Sequence, residues 1–270
     1  MPELPEITCR AREMDRTIAG HRISKVEVLQ PKCLNRTVDQ FQSAVVGNRV
    51  AHVMHHGKWL IAEMERGYLL INLGMGGELL WVDSGGLPEK WRVRLAMEDD
   101  HQLAINFWWF GYVHVLESTD PSSHPMLGKL GPDALELDLA GFADMLSGRR
   151  GRIKLLLLDQ SKIAGIGNAY VHDILFRARL HPLRLIPSLA DREIEALYAA
   201  IQQEFRRSIE KGGAFYEFDL FGERGGFTAD DLLIGYREGK PCPVCAAPVK
   251  KIKTGSTASF ICPVCQPLPD

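Results

Sequence analysis

The 270-residue sequence has no apolar stretch long enough to cross a bilayer, although 46% of its residues are hydrophobic. Residues 1–30 lack the basic start and following apolar run that mark a secretion signal. No internal repeat or low-complexity tract interrupts the chain. We therefore expect a soluble, cytoplasmic, monomeric protein with enough residues for two hydrophobic cores and a small additional module.

An excess of basic charge is also lacking, since the formal net charge is -2 and the sequence pI is about 6.5. Overall charge therefore gives no indication of a nucleic-acid partner, and such a partner would require locally placed Lys and Arg side chains. Residues 236–259 hold four lysines and one arginine against one acid, Glu238. A solvated basic hairpin is the alternative interpretation of this segment.

Cysteine is scarce outside two closely spaced pairs near the C-terminus. The pairs are Cys242-Pro-Val-Cys245 and Cys262-Pro-Val-Cys265, separated by sixteen residues. Two such pairs can present four thiolates to one tetrahedral ion, so the spacing predicts one structural Zn²⁺ in a β-hairpin finger. Disulfides would require an oxidising compartment, which nothing in residues 1–30 indicates. We expect the two other cysteines, Cys9 and Cys33, to be packed or surface thiols.

The first half of the chain begins with a helical pattern and continues with short β-rich runs. Residues 6–19 carry apolar side chains at helical spacing, with Pro5 able to begin the helix and Gly20 able to end it. We predict strands over residues 23–29, 49–55, 59–64, 68–73, 78–82, 91–97, 103–107 and 112–116. This pattern predicts an antiparallel sandwich or barrel with one helix against it.

The second half is predicted to be helical after a linker rich in Pro, Ser, Gly and His, with helices over residues 169–178 and 192–210. The segment before the first of them contains Gly165, Gly167 and Asn168. Its glycines allow backbone N–H groups to approach an anion, and Asn168 is able to cap the following helix. An ordinary capping turn is the alternative interpretation.

Five motifs in fixed order give the chain a resemblance to a known family. They are Pro2-Glu-Leu-Pro-Glu6, His56-Gly-Lys-Trp-Leu60, Leu73-Gly-Met75, Gly165-Ile-Gly-Asn-Ala-Tyr170 and Cys262-Pro-Val-Cys265-Gln266. Together they resemble the formamidopyrimidine-DNA glycosylase and endonuclease VIII family. The resemblance implies an α+β fold with DNA in a cleft. Its parts are an antiparallel β-sandwich with a leading helix (1–122), a linker (123–135), a helix-two-turn-helix domain (136–235) and a zinc finger (236–270).

The resemblance also implies catalytic roles. After removal of Met1, Pro2 would present a secondary amine that attacks C1′ of a damaged nucleotide, since an α-amino group titrates near ~8 and is partly neutral in the cell. Glu3 would act as general acid toward the sugar ring oxygen and then shuttle protons. Lys58 would reach the phosphate beside the lesion. A helix-entry signal is the alternative reading of Pro2 and Glu3, and a surface lysine that of Lys58.

Further residues are assigned to DNA binding by the same resemblance. Gly167 and Asn168 would hold a backbone phosphate, and Met75 would fill the space left by the extruded nucleotide. Phe110 keeps the position of a wedge residue, but Trp108 replaces an arginine that pairs with the orphaned base. Alternatively, Trp108 and Trp109 pack against the sandwich.

The zinc finger departs from the family pattern as well. Thr257 replaces an arginine that grips the phosphates flanking the flipped nucleotide, and Lys253 or Lys251 would be a point-charge substitute for that arginine. From this change and the one at position 108 we expect DNA engagement that is weaker than, or arranged differently from, the family norm.

The resulting prediction is a bifunctional DNA glycosylase and abasic-site lyase that acts on damaged double-stranded DNA, in the nucleoid if the protein is bacterial. Oxidised or ring-opened purines are the preferred substrates, because the Pro-Glu-Leu-Pro-Glu start and the Gly-rich insert over residues 211–227 resemble the formamidopyrimidine branch. That insert would cover the extruded base. The alternative is a catalytically weak protein that binds lesions or abasic sites and retains the fold.

Overall fold

The computed structural model describes residues 2–108 and 110–268, so the expectations about Met1 and Trp109 concern residues outside the described part. The chain divides into two compact units. The first runs to Lys129 and also includes Lys211–Gly226. The second comprises Leu130–Glu210 and the chain from Phe227 onward.

Two four-stranded antiparallel sheets form most of the first unit, in the orders β1-β6-β7-β5 and β2-β3-β4-β8. Their strands are β1 (Ile23–Val28), β2 (Val50–His56), β3 (Trp59–Met64), β4 (Tyr68–Asn72), β5 (Glu78–Asp83), β6 (Val93–Met97), β7 (His101–Asn106) and β8 (Tyr112–Leu116). Every predicted strand is present, with ends that differ by at most two residues. The two sheets confirm the predicted antiparallel architecture of this part of the α+β fold.

Alternation of side chains along the strands builds one core between the sheets. In β6, Val93, Leu95 and Met97 are buried, whereas Arg94 and Ala96 between them are partly exposed. Buried aliphatic side chains from both sheets belong to a single hydrophobic cluster. The cluster lies on one face of each sheet, as expected for strands with one buried side.

The leading helix, α1 (Leu4–Ile18), packs against β2 and β3 and begins two residues before the predicted start. A second helix in this unit, α2 (Val38–Val45), was not predicted. Its start is fixed by a reciprocal capping pair, in which the Thr37 hydroxyl accepts from the Gln40 N–H at 3.3 Å and the Gln40 amide oxygen accepts from the Thr37 N–H at 3.2 Å.

The second unit is helical, as predicted, and ends in a strand pair. Its elements are α3 (Leu139–Leu146), α4 (Ile153–Leu158), α5 (Val171–Arg177), α6 (Asp191–Glu210), β9 (Lys250–Thr254) and β10 (Thr257–Ile261). The predicted helices correspond to α5 and α6. Antiparallel pairing of β9 with β10 matches Thr254 with Thr257 across the turn.

Asp173 in α5 fixes the chain that leads to the strand pair. Its buried carboxylate accepts backbone N–H groups from Leu233, Ile234 and Gly235 at 2.7, 2.9 and 2.8 Å. The hairpin side chain Phe260 lies in the same buried cluster as Ile234. Within the described part of the chain, no helix is both long and apolar enough to span a membrane.

Lys211–Gly226 returns to the first unit and is anchored there at both ends. Gly226 N–H donates to the Lys211 carbonyl at 2.7 Å, which closes the base of the segment. Further along, the Leu220 N–H donates to the Glu13 carboxylate at 3.0 Å, and the Leu220 carbonyl accepts from the Trp81 N–H at 2.8 Å. We call Lys211–Gly226 the insert.

Candidate active site and metal centre

The start of α1 is held by a buried carboxylate. Pro2 is buried and Glu3 is only 4% exposed. The Glu6 carboxylate accepts the Glu3 backbone N–H at 2.9 Å through one oxygen and the Ala214 N–H of the insert at 3.0 Å through the other. Glu6 thus fixes the backbone beside Pro2 and ties it to the insert, a role that the sequence motif alone did not indicate.

The insert also carries a carboxyl group that sequence analysis missed. Burial raises the pKa of Glu217; the Arg10 guanidinium lowers this pKa and the Glu3 carboxylate raises it. Glu217 and Glu3 are therefore close enough to interact electrostatically. Next to Glu217, the aromatic side chains Phe215 and Tyr216 are exposed and in contact, with ring centroids 5.2 Å apart.

Lys58 lies in the tight turn between β2 and β3, after Gly57 with its positive φ of 54°. The Asn72 amide links this turn to the loop that carries Met75. Its nitrogen donates to the Lys58 carbonyl at 3.1 Å, and its oxygen accepts from the Gly74 N–H at 3.1 Å. One side chain therefore sets the relative position of two predicted site loops.

Met75 and Trp108 are adjacent, and Phe110 follows two residues later in the same loop. Their exposed fractions are 48%, 72% and 73%, respectively. Trp108 N–H donates to the Met75 carbonyl at 3.1 Å, and the Trp108 ring lies over Gly76 so closely that an added Cβ would come within 3.1 Å. The alternative in which Trp108 packs into the sandwich is therefore wrong.

Phe110 has a left-handed backbone conformation, with φ of 59°. Bulky side chains rarely adopt this conformation, which costs on the order of 1–3 kcal/mol, and it recurs at functional sites. Gly111 has no room for a Cβ, because an added atom would lie 2.1 Å from the Phe107 ring. The close contact between Gly111 and Phe107 lies at the bend of the chain where the Phe110 side chain is exposed to solvent.

The glycine turn before α5 is bracketed by Gln160. The Gln160 oxygen accepts from the Gly165 N–H at 3.0 Å, and its nitrogen donates to the Ile166 carbonyl at 2.8 Å. The Gly165 N–H is thus already used within the turn. The prediction that Asn168 caps the next helix is wrong, because α5 begins at Val171 and has no side-chain cap.

Lys154, a buried residue of α4, reaches the hairpin at the position where Thr257 stands. Its ammonium nitrogen lies 3.2, 3.1 and 2.7 Å from the hydroxyl oxygens of Thr254, Thr257 and Ser259 and 2.7 Å from the Ala258 carbonyl oxygen, so three N–H groups are shared among four acceptors. The Thr257 hydroxyl therefore already accepts a hydrogen bond from a buried side chain. Lys253, which pairs with Ala258 across the hairpin, is exposed.

No acid compensates the charge of Lys154 among these four partners. Burial lowers the pKa of Lys154 to about 8. His172 lies nearby, and burial together with the Lys154 charge lowers its pKa to about 3. The hairpin is thus supported by an ammonium that contacts only neutral oxygens.

A basic groove of about 500 Å³ lies beside α4. Its charged lining residues are Arg149, Arg150, Arg152, Lys162 and one acid, Asp159. Arg150 and Arg152 are exposed. Sequence analysis passed over these residues, because they are dispersed along the chain and the overall charge is slightly negative.

The four cysteines of the two pairs converge, with all ligand atoms within 4.8 Å of one another. Sulfur distances are 3.8 Å for Cys242–Cys265 and 3.4 Å for Cys245–Cys262. A tetrahedral ion with Zn–S bonds of about 2.3 Å separates its sulfurs by about 3.8 Å. Val244 and Cys265 donate backbone N–H groups to the first sulfur of each pair, both at 3.4 Å. The geometry fits a structural zinc ion.

Cys9 and Cys33 are buried far from this cluster in the sequence, and burial raises the pKa of each thiol to about 11. They are packed thiols, one of the two predicted alternatives. No described cysteine forms a disulfide.

Family models match the chain in three consecutive parts. The formamidopyrimidine-DNA glycosylase N-terminal domain matches residues 1–107, and the H2TH domain of the same enzymes matches residues 130–219. The zinc finger found in FPG and IleRS matches residues 239–268. The four-cysteine cluster is therefore the site of one structural zinc ion, and the chain is a zinc-finger protein of the H2TH class.

Curated relatives match along the whole length. The formamidopyrimidine-DNA glycosylase of Symbiobacterium thermophilum is 32% identical, over 100% of this chain and 90% of that protein. The enzyme of the same name from Gluconobacter oxydans is 34% identical, over 98% and 100%. The Lactococcus lactis Fpg in complex with abasic-site DNA has a TM-score of 0.91 at 26% identity, over 98% and 100%. The chain belongs to the formamidopyrimidine-DNA glycosylase family.

Proposed function

We propose that this protein is a bifunctional DNA glycosylase and abasic-site lyase of base excision repair that removes oxidised or ring-opened purines. The observation that carries the proposal is the fixed, buried Pro2-Glu3 start of α1 in a chain of this family. Solved structures with the same fold include Lactococcus lactis Fpg with Fapy-dG DNA and MutM with carbocyclic 8-oxo-G DNA.

In the proposed reaction, the Pro2 nitrogen, freed by removal of Met1, attacks C1′ of the damaged nucleotide. The bond from C1′ to the base breaks, and the base leaves with the electron pair and takes up a proton. Glu3 donates a proton to the sugar ring oxygen, which opens the ring and leaves an iminium ion between Pro2 and C1′.

The iminium ion acidifies the C2′ hydrogen. Removal of that proton forms a C1′–C2′ enamine, and the enamine electrons then expel the phosphate from C3′ and cut the strand. Glu3 directly follows Pro2 in the chain, and its carboxylate is proposed to carry these protons. Addition of water to the iminium ion at C1′ releases the cleaved sugar and returns Pro2 to its free state.

We further propose that phosphates are held by Lys58, Gly167, Asn168 and the exposed Lys253. The basic groove at Arg150 and Arg152 offers additional cations for backbone contact. These contacts position the duplex but carry no sequence information. Such local placement accounts for DNA binding by a chain whose net charge is slightly negative.

Met75, Trp108 and Phe110 are the residues proposed to enter the DNA stack. Extrusion of a nucleotide leaves a gap that costs a few kcal/mol unless apolar groups fill it. All three side chains are large, apolar and exposed, which otherwise disfavours them at a protein surface. The exposed aromatic residues of the insert, Phe215 and Tyr216, are proposed to cover the extruded base.

Reductive trapping tests the proposal. Borohydride added to the protein and a duplex with one 8-oxoguanine or one abasic site reduces the iminium ion to a stable covalent adduct. We expect the adduct with the wild-type chain and its loss when an uncleaved residue before Pro2 turns the Pro2 nitrogen into a tertiary amide, which is not nucleophilic. Pro5→Ala is the matched control, because it alters a proline of the same motif, keeps the terminal amine and should leave the adduct intact. Equal trapping by the blocked protein and the wild type would refute the mechanism.

A second candidate function is lesion or abasic-site binding with feeble catalysis. It is favoured by the presence of Trp108 and Thr257 where the family resemblance implies arginines. Tight binding of abasic-site DNA by wild-type protein that gives no adduct would support this alternative over the first. Damaged duplex DNA is the partner in both cases, and we place a monomeric protein with the nucleoid in the cytoplasm, as expected for a chain with bacterial relatives.

A further inference from the structure

Two histidines and one aspartate meet on the surface of the first unit, outside the proposed active site. His21 follows α1, while Asp99 and His101 flank the turn between β6 and β7. The His21 Nε2 and the His101 Nδ1 lie 2.9 and 3.0 Å from the same Asp99 oxygen, Oδ2. The three residues are partly exposed, and their ligand atoms lie within 4.8 Å of one another.

The tautomer of His21 is restricted by a backbone contact. Its Nδ1 lies 3.2 Å from the Ile18 carbonyl oxygen, which can only accept a hydrogen bond, so Nδ1 carries a proton. In a neutral imidazole, Nε2 then has a lone pair, and that lone pair faces the lone pairs of the Asp99 carboxylate. A metal ion held between the His21 Nε2 and the Asp99 Oδ2, which lie 2.9 Å apart, would use a lone pair of each.

Trp81 fixes the orientation of both imidazoles. Its ring stacks on His101 with centroids 5.1 Å apart and an interplanar angle of 8°, and it contacts His21 edge-on at 5.3 Å and 78°. His101 is also held by its place in β7, where it pairs with Asp83 of β5. The two nitrogen donors are therefore oriented by packing as well as by Asp99.

The electrostatic surroundings favour a bound cation. Arg22 and Arg49, which line the same groove as His21 and Asp99, are directed to Glu65, with N···O distances of 3.0 and 3.6 Å. An open groove of about 280 Å³ lined partly by His21 and Asp99 provides access from solvent.

We propose that His21, Asp99 and His101 form a second metal site, which binds a divalent first-row transition ion such as Zn²⁺ through two imidazole nitrogens and one carboxylate oxygen. Zn–N and Zn–O bonds of about 2.0–2.2 Å place tetrahedral ligands about 3.3 Å apart, so the donors separate by a few tenths of an ångström on binding. Water completes the coordination. The site is independent of the glycosylase reaction.

Calorimetric titration with Zn²⁺ tests the site on full-length protein whose four-cysteine finger is already loaded. We expect one further equivalent to bind the wild-type chain, with binding at least tenfold weaker in His21→Ala and in His101→Ala. His52→Ala is the matched control, because His52 contacts the single carboxylate of Asp15 and no second histidine in the identified cluster. That variant should keep the further equivalent.

Fluorescence gives an independent readout with the protein intact. Paramagnetic Ni²⁺ bound beside Trp81 should quench part of the tryptophan emission, and the quenching should be lost in Trp81→Phe and in Asp99→Asn. If His101→Ala does not fold, Asp99→Asn, which keeps the shape of the side chain, decides the calorimetric result. Absence of a further Zn²⁺ equivalent, or equal affinity in wild type and Asp99→Asn, would overturn the proposal.

Discussion

The backbone N–H of Trp108 donates a hydrogen bond of 3.1 Å to the carbonyl of Met75. This bond joins the loop between β4 and β5 to the loop between β7 and β8, and both loops run from one sheet to the other. Two large exposed side chains are thereby presented together. The indole occupies a position where the family resemblance implies a guanidinium, so the loop retains an apolar surface but lacks the group that reads a base edge.

Substitution Trp108→Arg is expected to increase discrimination among bases opposite the lesion. A bidentate arginine contact to a base edge contributes about 1–3 kcal/mol of discrimination, equivalent to about 5- to 150-fold in relative rate. Excision rates should be compared on four duplexes that differ only in the opposing base. Trp108→Leu is the control, since it keeps an apolar side chain; a Trp108→Arg profile as flat as that of Trp108→Leu would contradict this role.

Substitution Thr257→Arg is expected to tighten binding to abasic-site DNA. A charged hydrogen bond to phosphate contributes about 1.5–3 kcal/mol, which corresponds to about 10- to 150-fold in Kd. The salt dependence of log K should become steeper by about 0.9 for one added phosphate contact. Thr257→Val tests whether loss of the hydroxyl alone has an effect. An unchanged salt slope in Thr257→Arg would mean that this position does not face the DNA backbone.

The strands of the first unit could be predicted because their patterns are local. In β6, buried and partly exposed residues alternate, and turns rich in glycine bound several of its neighbours. Helix α2 was missed because it spans only eight residues, although Thr37 and Gln40 form a recognisable capping pair. Residues of α3 include Gly141, which weakens a helical pattern read from sequence alone.

The site was only partly predictable, for a physical reason. Motifs such as Pro2-Glu3 and the cysteine pairs have fixed short spacings, so their chemistry is visible in the sequence. Lys154 bonds to hairpin residues at least 100 positions away, and such a contact has no local pattern. Glu6 likewise meets Ala214 across 208 positions. Whether an aromatic residue such as Trp108 is buried or exposed also depends on the folded loop.

Stability should depend on pH through Lys154. Its pKa is about 8 in the folded protein and 10.5 for the ordinary group, so the unfolded chain binds more protons between these values. Unfolding free energy is therefore expected to rise from pH 8 to pH 10.5, by at most about 1.4 kcal/mol per pH unit. Below pH 8 both states are protonated, and this contribution becomes constant.

Urea unfolding of the wild type and Lys154→Met at pH 7, 8.5 and 10 isolates this contribution. The difference in free energy between the two proteins should shift in favour of the wild type as pH rises. Lys250→Met, at an exposed position of β9, should show no such shift relative to the wild type. A pH-independent difference for Lys154→Met would show that Lys154 keeps its ordinary pKa.

Removal of zinc is expected to unfold the β9–β10 hairpin. Binding of structural Zn²⁺ contributes about 10–16 kcal/mol in finger peptides, and the hairpin has few buried side chains of its own. Amide exchange after chelation should accelerate over Lys250–Ile261 and remain slow in β3 and β4. The variant Cys262→Ser should behave like the chelated protein, whereas Cys33→Ser should retain zinc. Protection of the hairpin without metal would contradict this dependence.

Because the insert is contributed by residues 211–226, the first unit is discontinuous in sequence. During synthesis, the ribosome releases the sheets and α1 long before Ala214 and Leu220 exist to occupy their places. Until most of the chain has emerged, the Glu6 carboxylate therefore lacks its hydrogen bond from the Ala214 N–H and is hydrated instead. A nascent chain that has folded only its first 129 residues would thus lack the bond between Glu6 and the insert that fixes its amino terminus. Reactivity of that terminus is expected to arise late in biogenesis.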